Sequence, residues 1–220
     1  MKKTAIILGA SGLTGSIVLE KLLNDNSYDT IKLFSRKRIE GLSSKVKQYI
    51  GDLLDFKIFK KDFTGDVVFC CIGTTAKKTP KKIEYKAIDY GIPVAAATLA
   101  KANKIKTFAV VSSIGANTKS SVFYSKTKGE MERDVLSKKI EYTYILQPSI
   151  IEGNRIEQRL GEKIGLLVFK ILQPLFFGKL KKYKITEAKH IAQAMINLAK
   201  SNSQEIIITS NKIKEKALNK

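Results

Sequence analysis

The chain has 220 residues, with 40 Lys and Arg against 20 Asp and Glu, for a formal net charge of +20. That length fits one α/β domain with a real core and leaves no room for a second large substrate domain. The basic balance would attract phosphates, but nearly all of the excess is Lys, the only arginines are Arg36, Arg38, Arg133, Arg155 and Arg159, and no aromatic and Arg-rich stripe of the kind that reads bases is visible, so specific nucleic-acid binding is not expected.

Met1-Lys2-Lys3 runs straight into Thr4-Ala5-Ile6-Ile7-Leu8. This apolar run is too short for a signal h-region and lacks a small-residue cleavage site, which points to the cytoplasm. Short β-branched runs then alternate with helical stretches, the pattern of a parallel sheet built from right-handed βαβ units. Strands are expected near 4–8, 31–35, 46–50, 66–71, 107–112, 142–146 and 205–209, and helices near 13–25, 84–103, 124–137 and 187–200. Runs such as Val67-Val68-Phe69-Cys70-Cys71 are apolar throughout, as in strands covered on both faces. The expected fold is a single doubly wound Rossmann-like α/β domain over residues 1–220, mostly parallel, with residues 1–75 its main dinucleotide-binding part.

Gly9-Ala10-Ser11-Gly12-Leu13-Thr14-Gly15 follows the first strand and opens the first helix. Gly9 permits the tight turn, Gly12 lets the backbone approach a pyrophosphate, and Gly15 lets helix and strand pack closely. The phosphates would sit on the free N–H groups at the positive helix end, so Ser11, Leu13 and Thr14 join the glycines as cofactor contacts. About twenty residues on, a dinucleotide fold for NAD places an acid that holds the ribose hydroxyls. Here the second strand ends in Ser35-Arg36-Lys37-Arg38. A guanidinium suits a 2′-phosphate through bidentate, charge-assisted bonds, so NADP(H) is expected at Ser35 and Arg36, with NAD(H) less favoured. After the third strand, Asp52 with Leu53 beside it either approaches the adenine or serves as a turn acid.

Cys70 and Cys71 are neighbours whose side chains point to opposite faces of a strand, so they cannot staple distant segments and are expected to stay reduced. Cys71, Gly73 and Thr74, at and after the fourth strand, are expected to line the cofactor. Ser112 and Ser113 end the fifth strand, where a hydroxyl can polarise a carbonyl oxygen, and alternation lets only one of the two face the cofactor. Tyr124 and Lys128 lie four apart on a predicted helix and so share a face. A Tyr beside an ammonium can relay a proton.

Several of these segments, in this order, resemble the atypical short-chain dehydrogenase/reductases, and within them the group that includes the Tat-interactive protein. The likeness runs through Gly9 to Gly15, Cys70-Cys71-Ile72-Gly73-Thr74-Thr75, Val111-Ser112-Ser113-Ile114-Gly115-Ala116, Tyr124-Ser125-Lys126-Thr127-Lys128-Gly129-Glu130 and Gln147-Pro148-Ser149. The resemblance implies one Rossmann-like domain binding NADP(H), a Ser113-Tyr124-Lys128 catalytic set, and Pro148 on the nicotinamide side. Many family members carry an Asn that supports a proton relay. The matching region here is Ala87-Ile88-Asp89-Tyr90-Gly91, and an ionised aspartate cannot donate in the same way.

About 147–185 is expected to form a substrate-side or partner-side segment. Its Leu166-Leu167-Val168-Phe169 and Pro174-Leu175-Phe176-Phe177 runs, followed by Lys179, Lys181 and Lys182, are too short and too charged for a membrane span. They are expected to cover the substrate crevice and pack on the core, the alternative being to rest on an anionic bilayer or hold a greasy substrate. His190 is the only histidine and is expected to be a packed or surface residue. Two functions follow: an NADP(H)-dependent oxidoreductase acting on a small carbonyl or enone, or a non-catalytic NADP(H)-binding regulator of a protein partner. No metal is implied.

Overall fold

In the computed structural model, residues 2–152 and 184–219 are described. The runs expected as strands pair into one seven-stranded, all-parallel sheet in the order β3-β2-β1-β4-β5-β6-β9. These are β1 (Lys3–Leu8), β2 (Tyr28–Ser35), β3 (Val46–Ile50), β4 (Val67–Cys70), β5 (Thr107–Val111), β6 (Tyr142–Gln147) and β9 (Ile207–Thr209). Two short strands, β7 (Ile151–Glu152) and β8 (Thr186–Glu187), pair separately.

Successive strand residues serve opposite layers, as the period of two demands. Ile7, Phe69, Ala109 and Leu146 face one core with α1 (Leu13–Leu23), α5 (Ala188–Ser201) and α6 (Ser210–Leu218). Ile6, Leu8, Val68, Phe108 and Val110 face the other, with a 3-10 turn (Phe56–Phe59), α3 (Ile92–Ala102) and α4 (Phe123–Leu136). Each fully buried Leu, Ile or Phe side chain contributes about 1.5–3 kcal/mol. Helices on both faces make this a doubly wound Rossmann-like fold.

The strand order reverses at β1, which lies between β2 and β4. A crevice for ligand lies at such a switch point, beyond the carboxyl ends of the strands. Here the first glycine loop meets the loop after β4: a Cβ on Gly9, whose φ is +82°, would fall 2.9 Å from the carbonyl oxygen of Cys71.

The helix expected over 84–103 is interrupted. A short α2 (Lys82–Lys86) leads into a π-helical turn over Ala87–Gly91, where the Ile92 N–H reaches back to Ala87 O, and α3 follows. Pro93 is the cause that the sequence offers. It has no N–H for Asp89 O, and its ring crowds that carbonyl, so the helix widens just before it. The C-terminal helix α6 lies beyond the elements that the sequence pattern marked.

Candidate functional site

The glycine loop and the start of α1 form an anion cradle. Gly12 N–H donates to Gly9 O at 2.9 Å and folds the turn. Gly15 is pressed against the loop's first residue: a Cβ there would lie 2.1 Å from Gly9 O. Such helix N-termini leave N–H groups without intrahelical partners. Gly12 provides no side-chain cap and the first turn carries no acid, so the N–H groups of Leu13, Thr14 and Gly15 remain for an anion. Ser11 and Gly12 are exposed beside them. These residues fit a dinucleotide pyrophosphate.

At the end of β2, Ser35 Oγ donates to Lys37 O at 2.7 Å, which shapes the turn, and Arg36 is exposed. The turn after β3 is built by Asp52, whose Oδ1 accepts from Leu54 N–H at 2.9 Å. Leu53 is buried in the aromatic cluster of Phe34, Phe56, Phe59 and Phe63, and Phe34 stacks on Tyr49 at 4.8 Å. Asp52 thus shapes this turn, and the cluster fixes where its exposed carboxylate sits.

After β4, Cys71 is half-buried against the α1 side, and Gly73 and Thr74 lead into the crevice. The Cys70 thiol is buried on the other side and its pKa is pushed up to about 12; burial also raises that of Cys71. Both are free thiols and, held protonated, are poor nucleophiles. Thr74 N–H donates to Asp89 Oδ2 at 2.7 Å. Thr74 and Thr79 share a hydroxyl bond of 2.9 Å.

The two serines after β5 separate. Ser112 Oγ donates to Glu132 Oε1, and Gln147 Nε2 donates to both oxygens of the same carboxylate at 3.0 Å. Burial raises the Glu132 pKa even though these bonds and the Lys128 charge oppose it. Ser113 Oγ is buried with no hydrogen-bond partner among the described residues. A buried unpaired hydroxyl costs free energy, which a ligand oxygen in the crevice would recover. Of the two serines, Ser113 is thus the one whose hydroxyl has no partner among the described residues.

The Ser113 loop is seated on α4. Ile114 N–H donates to the carbonyl of buried Pro148 at 2.8 Å, and Asn117 N–H donates to Ser125 O at 3.0 Å. Gly129 lies so close beneath the loop that a Cβ would fall 2.4 Å from Asn117 C. Tyr124 is 40 % exposed at the first turn of α4. Lys128, one turn on, is buried, and its Nζ lies 2.8 Å from Asp89 Oδ1. Tyr85 packs edge-on to Tyr124 at 6.0 Å, and its own hydroxyl is buried beside the Asp89 carboxylate. Burial and the Asp89 charge raise the Tyr85 pKa.

The sequence brings Asp89 forward only as a departure from the resemblance and Gln147 only within a segment of the likeness, and it does not mark Tyr85 or Glu132. Glu132 was detectable in principle, since it continues the Tyr124–Lys128 face by one more turn. His190 is partly buried at the start of α5, beside Glu187, and burial lowers its pKa; it lies outside this group. The apolar 164–180 segment lies outside the described residues. Among the described residues, no cluster of His, Cys, Asp and Glu suits a metal ion, and no helix is long and apolar enough to cross a membrane.

Comparison with known proteins agrees with this geometry. Residues 9–167 match a family model described as NAD(P)H-binding. The chain is 31 % identical over 214 residues to Protein HTATIP2 of Rattus norvegicus, covering 96 % of this chain and 87 % of that one. It is 32 % identical over 201 residues to Protein FMP52, mitochondrial, of Debaryomyces hansenii, covering 89 % of this chain and 87 % of that one. Among solved structures, the Bordetella bronchiseptica enzyme WbmH in complex with NAD+ superposes with a TM-score of 0.71 at 15 % identity, covering 95 % of this chain and 75 % of that one. With the family model spanning most of the chain and a relative aligned along nearly all of it, the chain belongs to the NAD(P)H-binding atypical short-chain dehydrogenase/reductases of the HTATIP2 type.

Proposed function

We propose that the chain is an NADP(H)-dependent oxidoreductase acting on a small carbonyl or enone. The observation that carries this reading is the split between Ser112, whose hydroxyl is consumed by Glu132, and Ser113, whose hydroxyl is buried without a partner among the described residues. In this reading Ser113 donates to the substrate oxygen. Tyr124 holds and delivers the proton to that oxygen, and Lys128, one turn below on the same face of α4, holds the nicotinamide ribose.

Gly9, Ser11, Gly12, Leu13, Thr14 and Gly15 would hold the pyrophosphate, Ser35 and Arg36 the 2′-phosphate, Asp52 and Leu53 the adenine side, and Cys71, Gly73, Thr74, Lys128 and Pro148 the nicotinamide side. When bound, the cofactor supplies the hydride. NADP(H) is favoured over NAD(H) because Arg36 stands exposed where an acid would serve free ribose hydroxyls. A cytoplasmic location, expected from the N-terminal residues, stands against yeast relatives named mitochondrial, and cell fractionation decides between them.

A second reading, a non-catalytic NADP(H)-binding regulator with a protein partner, is favoured by Asp89, which replaces a donor with an acceptor and engages Lys128. Stopped-flow NADPH oxidation over a carbonyl panel, with thermal shift, separates the two. An oxidoreductase turns over, and Tyr124→Phe lowers its rate by about 10²-fold or more while the cofactor still binds. A regulator shows no turnover in the wild type while NADPH still raises its melting temperature.

A further inference from the structure

The Lys128 ammonium is not a free charge. Its Nζ lies 2.8 Å from Asp89 Oδ1, with the two side chains 4 % and 1 % exposed. The other carboxylate oxygen accepts the Thr74 N–H at 2.7 Å. A Cβ on Gly73 would lie 3.5 Å from Asp89 Oδ1 and 3.9 Å from Lys128 Nζ, so the pair sits directly against the loop that enters the crevice. Asp89 reaches this place from the π-helical turn ahead of Pro93. The π turn, α4 and the loop after β4 meet at this carboxylate, and the buried Tyr85 hydroxyl of α2 lies beside it. The other charged group nearby, Glu132, is engaged by Ser112 and Gln147.

We propose that Asp89 is a positioning residue that clamps Lys128 to the Gly73–Thr74 loop and cancels its charge, so that the nicotinamide end of the crevice is electrically balanced between a positive and a neutral ring. This rests on the reading that a nicotinamide dinucleotide occupies the crevice. An oxidised nicotinamide ring carries a positive charge and a reduced one does not. A buried ammonium without its counter-ion would discriminate against the oxidised form, whereas a carboxylate without its ammonium would favour it. A purely structural role for the pair makes no such distinction, because loosening the loop weakens both forms alike.

The test is calorimetric binding of NADP+ and NADPH to the full chain, with no turnover required. Asp89→Asn keeps an acceptor for Thr74 N–H but removes the charge; it is expected to weaken NADP+ relative to NADPH by at least about fivefold, a floor set well below the full interaction of two nearby unit charges at an effective dielectric near 20. Lys128→Met is expected to move the ratio the opposite way. The double variant Asp89→Leu/Lys128→Met, which removes both charges of the pair and keeps the test open if Asp89→Asn fails to fold, is expected to return the ratio towards that of the wild type. A ratio unchanged in the folded single variants, or moved in the same direction by both, overturns the proposal. Failure of the wild type to bind either form overturns the functional reading on which it rests.

Discussion

The Cβ that Gly15 lacks would lie 2.1 Å from the carbonyl oxygen of Gly9, well inside any tolerated contact. Helix α1 can therefore approach the end of β1 only with glycine at this position, and that approach brings its free N–H groups to the loop. Gly15→Ala is expected to lift the helix, cost about 1–3 kcal/mol or more through overpacking, and abolish NADPH binding. Gly41→Ala is the control. Gly41 has φ +72° with open space around it, so strain alone should cost about 1–2 kcal/mol and leave binding intact. Urea midpoints with calorimetry read both effects; equal binding by the two variants would disprove the assignment of the cradle.

Ser112 and Ser113 should respond to alanine with opposite signs. Ser113→Ala removes a buried hydroxyl that has no partner among the described residues, so stability is expected to stay level or rise while turnover falls. Ser112→Ala takes a donor from the buried Glu132 carboxylate and is expected to cost about 1–3 kcal/mol. Denaturation curves of the two variants decide this, and a destabilised Ser113→Ala would show that its hydroxyl is structural.

Glu132 gives stability a pH slope. Burial raises its pKa above the ordinary 4.5, so the folded chain keeps a proton that the unfolded chain has released. Stability from this group is full below pH 4.5 and falls as pH rises through the folded pKa. Glu132→Gln is expected to flatten that slope at little cost near neutral pH. Glu132→Ala leaves Ser112 and Gln147 without their acceptor and is expected to cost about 1–3 kcal/mol. Melting temperatures between pH 4 and 8 provide the check, read as a difference from the wild type.

Arg36→Asp replaces a phosphate-binding cation with an acid suited to ribose hydroxyls. Losing a charge-assisted contact of about 1.5–3 kcal/mol should move the NADP/NAD affinity ratio by about 10- to 100-fold towards NAD. Calorimetric titration of both cofactors measures it. A wild type that prefers NAD would disprove the reading of the β2 end.

The sheet was legible in the sequence because buried parallel strands appear as unbroken apolar runs, and all seven expected strands pair. The glycine loop was legible for the same reason that it works: few other residues fit Gly9 and Gly15. The choice between Ser112 and Ser113 stayed open because alternation fixes only that the two differ. It took the position of Glu132, twenty residues on, to show which hydroxyl is occupied. Asp89 was hidden by periodicity, since the pattern over 84–103 reads as one helix and a π-helical turn changes which face a residue presents. Pro93 was the visible clue. The C-terminal helix α6 was missed because Asn211, Lys212, Lys214, Glu215 and Lys216 leave only Ile213 and Ala217 as its apolar stripe.

Strand β9 has a consequence for synthesis of the chain. It pairs with β6 through Ile145 and Ile207, while α5 packs its Ile191, Met195 and Leu198 into the same core as Val18 and Leu22 of α1. A nascent chain that has reached only residue 152 already holds every proposed site residue. Its β6 would still be an open, apolar edge, a template for pairing with another chain, and α1 would lack its neighbour. Competence to hold a dinucleotide thus arrives late in translation, with α5 and β9, which carry none of the proposed site residues, and a product stopped early should aggregate rather than bind.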